Sequence, residues 1–132
     1  MKLFKLILII SIVSGCVGIE TLPPQGDADE IRIEINQPKE TLLIIKDEET
    51  VNKIVAFINT KLEGWSSSLT GPPVGQVYFL LYKEEKFVGN FYIGKYFFGR
   101  DYDNFWSQPA TTKEIEKLGN IAGIDLLTLI NK

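Results

Sequence analysis

The chain has 132 residues, with 17 acidic side chains against 14 basic, a formal net charge of −3, no histidine and a single cysteine, Cys16. That acidity argues against nucleic acid as a partner, since its binders carry a basic patch, and the missing histidine excludes Ser-His-Asp and Cys-His catalysis and nearly all zinc sites. A lone thiol forms no disulfide within the chain, so a single domain of this size has to stand on its apolar core.

Lys2 and Lys5 open the sequence, and residues 6–13 are apolar except for Ser11. This is too short to cross a bilayer, which takes about 20 apolar residues. A charged start, a short apolar stretch and small residues before a cut site read as a secretory signal peptide, here residues 1–15 with cleavage before Cys16. The tetrad Val13-Ser14-Gly15-Cys16 resembles the lipobox of bacterial lipoproteins: an aliphatic residue, a small one, Gly or Ala, then cysteine. The resemblance covers the first sixteen residues only. It implies that the Cys16 thiol receives a diacylglycerol and becomes the new N-terminus, often with a third acyl chain. Each buried methylene contributes about 0.8 kcal/mol, so such a protein is held on the membrane without spanning it. Enterobacterial lipoproteins kept in the inner membrane often carry aspartate after the cysteine, where this chain has Val17. The resemblance therefore implies the outer membrane, facing the periplasm, in a diderm host, and the outer face of the cell membrane in a monoderm one.

After Cys16 the run to residue 29 has no apolar periodicity and contains Pro23-Pro24 and Gln25-Gly26, so residues 16–29 read as the lipidated cysteine and a flexible tether, ahead of one domain at 30–132. Ile31, Ile33 and Ile35 alternate with Arg32 and Glu34, the pattern of a half-buried strand. A turn at 36–39 and a second strand at 41–46 make a hairpin. Asp47 is placed to cap a helix, with Glu48 and Glu49 in its first turn. Val51, Ile54, Val55, Ile58 and Leu62 form one stripe along it, and Gly64 ends it. Trp65, the serines after it and the Gly/Pro stretch at 71–75 read as a long connection without regular structure. Strands then follow at 77–82 and 87–93, with a bulge expected at Gly89. Shorter strands are expected at 95–98 and 102–107. Thr111 and Glu114 have the capping-box spacing for a short helix, and Asp125 is placed to cap a last one at 126–130.

The order strand-strand-helix-strands-helix, with no βαβ alternation, predicts an α+β domain: an antiparallel sheet with helices packed on one face.

No reaction chemistry emerges, and no catalytic, metal or cofactor site is expected. Ser66, Ser67 and Ser68 lack a nucleophile elbow and an S-x-x-K lysine. Asp101-x-Asp103 starts like a calcium loop, but Phe105 and Trp106 stand where an oxygen ligand and the turn glycine belong. Two carboxylates two apart on a strand share a face and can meet the shorter end of the roughly 5–9.5 Å spacing that glycosidases use. The general rule that acids sit outside makes them solvated charges first.

The remaining signal is aromatic. Of 15 aromatic residues, 12 lie within residues 78–106, too many for one face of a small sheet. Tyrosine, tryptophan and arginine are interface residues, so Trp65, Tyr96, Arg100, Asp101, Tyr102, Asp103 and Trp106 are the binding candidates. The expected function is a lipid-anchored cell-envelope protein acting as a non-catalytic protein-binding module, an inhibitor, immunity-type or assembly factor, with an envelope or secreted protein as partner. The alternative is a small-ligand or glycan binder, or a weak carboxylate hydrolase, built around Trp65, Trp106 and the aspartates.

Overall fold

The structure, a computed structural model, describes residues 19–36, 38–67, 71 and 73–131; the expected signal peptide and Cys16 lie outside them. The chain runs β1 (Ile19–Glu20), β2 (Glu30–Asn36), β3 (Lys39–Ile45), α1 (Glu48–Asn59), β4 (Trp65–Ser67), β5 (Val77–Lys83), β6 (Lys86–Ile93), β7 (Phe97–Asp101), β8 (Phe105–Pro109), α2 (Thr112–Ala122) and α3 (Leu126–Ile130). The strands form one antiparallel sheet of eight in the order β1-β4-β8-β7-β6-β5-β2-β3. This is an α+β domain.

Alternation in β2 decides which face is covered. Ile31 and Ile33 are fully buried while Arg32 and Glu34 on the other face stay partly exposed. Register carries the buried face across the sheet: Ile33 lies opposite Phe79, which lies opposite Phe91, and Val77 lies opposite Ile93. These side chains share one core with Val51, Ile54, Phe57 and Ile58 of α1, Ile115 and Leu118 of α2, and Leu126 and Ile130 of α3. Each such burial contributes about 1.5–3 kcal/mol.

The caps expected from sequence are present. Asp47 accepts from the Thr50 backbone N–H at 2.9 Å and its hydroxyl at 2.7 Å. Those bonds hold its carboxyl below the usual range, so the cap is fully formed at neutral pH and weakens as acid protonates it. Thr111 and Glu114 exchange the two bonds of a capping box at 3.0 and 3.2 Å. Gly123, at φ +77°, closes α2 in the left-handed conformation that glycine takes without penalty. Helix α1 ends at Asn59, earlier than its stripe suggested, as the last turn tightens: the Thr60 N–H is shared between the Ala56 and Phe57 carbonyls, and the Lys61 N–H donates three residues back to Ile58.

Three expectations need correction. The strands expected at 95–98 and 102–107 lie later, as β7 and β8, because a turn closed by the Gly94 N–H on the Phe97 carbonyl and another at Tyr102–Asn104, with Asp103 at φ +56°, take their first residues. The connection after α1 contains β4, which pairs with both β1 and β8. And from Ile19 onward the expected tether lies against the domain. Leu22 and Ala28 belong to the core, and the Leu22 N–H donates to Leu62 at 2.8 Å. Gln25 and Asn59 exchange backbone and amide bonds at 2.7 and 3.1 Å, and the Gln25 side chain donates to the Val88 carbonyl at 3.2 Å. Proline and glycine suppress helix and strand patterns here without preventing an extended chain from filling the margin of the core.

Candidate functional site

The sheet face turned away from the helices carries the site. Across it Glu34, Tyr78, Tyr92, Gly99, Ser107 and Ser66 are successive cross-strand partners. The Tyr78 and Tyr92 rings stack with centroids 5.0 Å apart, and Phe97 meets Tyr92 edge-on at 6.5 Å. Gly99 makes this possible: a Cβ there would sit 1.9 Å from the Tyr92 ring.

At the end of the Tyr92 ring is a closed polar set. The Tyr92 hydroxyl donates to one Asp101 carboxylate oxygen at 3.0 Å, and the Asn90 amide donates to the other at 2.9 Å. The Asp101 backbone N–H donates back to Asn90 Oδ1 at 3.0 Å. Burial first, and the Asp101 charge second, push the Tyr92 phenol well above its usual value, so it serves as a neutral donor. Tyr92→Phe is expected to cost about 1.5 kcal/mol, the low end for a hydrogen bond to a charged group because Asp101 keeps contact with water. A phenol whose folded pKa is raised stabilises fully below its unfolded value and loses that contribution as pH rises past it. Stability of the native protein should therefore fall above about pH 10, and the fall should shrink in Tyr92→Phe. Chemical denaturation at pH 7 and pH 11 checks both, and an unchanged slope would remove the role given to the phenol.

Beside this set the face opens to solvent. Ile44, Arg32 and Leu80 are cross-strand neighbours, as are Glu30, Tyr82 and Phe87. Ile44 is 51 % and Phe87 57 % exposed. Arg32 pairs with Glu30 and lies 4.1 Å over the Tyr82 ring. The β5–β6 turn that holds Phe87 forward uses Glu84 and Glu85, both at positive φ, the two-residue hairpin geometry suited to twisted strands.

The structure separates the seven binding candidates. Trp65 is fully buried, edge-on to Phe91 at 6.3 Å, with its indole N–H donating to the Lys61 carbonyl at 2.6 Å; it is a core residue. Tyr96, 71 % exposed, lies in the β6–β7 turn at the opposite end of the sheet from Tyr102 and Asp103. Tyr102, Asp103 and Asn104 form the β7–β8 turn, with Asp103 at φ +56°, so Asp103 leaves the strand and does not share a face with Asp101 as a strand pair would. A glycan cleft or carboxylate pair made from Trp65, Trp106, Asp101 and Asp103 has no geometric basis. Trp106 is half-buried against the core, its N–H donating to the Tyr102 carbonyl at 2.9 Å. Arg100, opposite Trp106, is buried.

Among the described residues no three acidic or cysteine side chains gather to hold a metal. A cavity of about 540 Å³ opens at the far end of the sheet, lined by Ile35, Glu40, Val74, Gln76 and Leu129 among others. No helix among the described residues is long and apolar enough to cross a membrane. Sequence reasoning missed Asn90, Tyr92 and Gly99. A glycine inside an aromatic strand was the available signal, because it marks a close approach by a neighbour. No protein-family model, curated protein or solved structure matches this chain, so a functional reading rests on the arrangement of these side chains.

Proposed function

We propose that this chain is a lipid-anchored cell-envelope protein that works as a non-catalytic protein-binding module. It presents the open face of its sheet to an envelope or secreted protein as an inhibitor, immunity-type or assembly factor. Cys16, in its lipobox-like setting, is the lipid attachment point. The observation that carries the binding role is the uncovered face: Ile44 and Phe87 stand out from a floor of Tyr78, Leu80 and Tyr82, with Arg32 over the Tyr82 ring. Exposed apolar and aromatic groups rimmed by charge are the anatomy of a protein contact.

The test has two arms. Cys16→Ser in the full-length chain should move the protein from the membrane to the soluble fraction; retention in the membrane sinks the anchor. Crosslinking in intact cells, followed by purification and mass spectrometry, should capture one stoichiometric partner. Ile44→Glu with Phe87→Glu should reduce that capture at least tenfold while leaving the unfolding midpoint nearly unchanged. Capture that survives both substitutions rules out this face.

A further inference from the structure

Arg100 is 3 % exposed, and its Nη1 is buried without a hydrogen-bond partner. No ion pair or side-chain hydrogen bond holds its guanidinium among the described residues. Its place follows from strand alternation. Phe98, two residues earlier, packs on Phe57 of α1 and on Phe91, so Arg100 leaves β7 on the helix-side face, beside its cross-strand partner Trp106. Asp101 leaves on the other face and is committed to Asn90 and Tyr92. On the β7–β8 turn, Tyr102 interacts with the guanidinium electrostatically.

A buried lysine in this position escapes by losing its proton, whereas a guanidinium stays charged. Buried charges in folded proteins are paired or ligated, so this guanidinium, with no counter-ion among the described residues, calls for one from outside the fold. We propose that Arg100 is the anchor of an oxyanion-binding site, taking a carboxylate or phosphate group of a small ligand on the fork of its guanidinium, with Trp106 and Tyr102 beside it. The planar fork matches both groups bidentately, and it does so where water competes least. The site lies on the opposite face from the proposed protein contact, so either can fail without the other.

The chain has only two arginines, Arg32 and Arg100, so the full-length protein in detergent with ¹⁵N-labelled arginine gives two Nε–H signals. Arg32, already paired with Glu30, is the internal reference, and Arg100→Lys assigns the pair. Inorganic phosphate and acetate are titrated in turn against chloride at constant ionic strength. The Arg100 signal is expected to shift saturably with one or both while that of Arg32 stays still. Response to phosphate alone names a phosphate ligand, and response to acetate a carboxylate. Thermal unfolding supplies the second readout. In chloride, Arg100→Met should melt no lower than the native protein, and phosphate or acetate should raise the native midpoint but not that of the variant. Equal, non-saturating shifts of the two arginines overturn the proposal. So does an Arg100→Met variant that melts well below the native protein in chloride, because the guanidinium would then already be satisfied within the fold.

Discussion

Trp65→Ala is expected to remove about 3–5 kcal/mol of folding stability, the range for truncating a large buried aromatic. The indole is fully buried, stands edge-on to Phe91 and spends its N–H on the Lys61 carbonyl just beyond α1. Its loss opens a cavity and also releases β4, which ties β1 to β8. Domains of this size hold only about 5–15 kcal/mol in total, so the loss takes a large share of the stability and should lower the unfolding midpoint sharply. Urea denaturation of the native protein and of Trp65→Phe, which keeps most of the ring volume, brackets the effect. A Trp65→Ala protein of near-native stability would return this residue to the surface and revive the ligand-cleft reading.

The second large effect belongs to Gly99. Its φ is unexceptional, so the requirement is space: a methyl group here would overlap three carbons of the Tyr92 ring at 1.9–2.4 Å. The ring has no easy retreat, since Tyr78 stacks on it and Asp101 holds its hydroxyl. Gly99→Val should therefore cost about 3 kcal/mol, the upper end of ordinary overpacking. A double-mutant cycle isolates the cause. In a Tyr92→Ser background the ring is gone, and Gly99→Ala should cost far less than in the native protein, with a coupling of about 1–2 kcal/mol. Additive costs would show that Gly99 is needed for some other reason.

These two residues mark where the sequence was legible and where it was not. The β2 strand, the α1 stripe as far as Ile58, the Asp47 cap and the capping box all follow from patterns a few residues long, and each appears in the structure. Strand β4 does not: three residues, two of them serine, offer no alternation, and their place is set by β1 and β8 from distant parts of the chain. The inward turn of Trp65 has the same origin, since nothing in its neighbours states that Phe91 waits to receive it. Likewise, Asp101 and Asp103 look alike in sequence until the turn at φ +56° parts them. Aromatic abundance correctly indicated rings on both faces. It could not distinguish Tyr92, which is sealed by a glycine, from Phe87, which is not.

If Cys16 carries a lipid as proposed, the short pairing of β1 with β4 would also limit how far the protein acts from a membrane. On the proposed anchoring, only residues 17 and 18 separate Cys16 from the first residue of the sheet, a leash of about 10 Å at full extension. The β1 edge would then be moored near the headgroups. The β3 edge, seven strand spacings away, can stand at most about 34 Å from it. A partner engaging this face would have to come to the bilayer surface itself, so the working radius of the protein is that of one small domain.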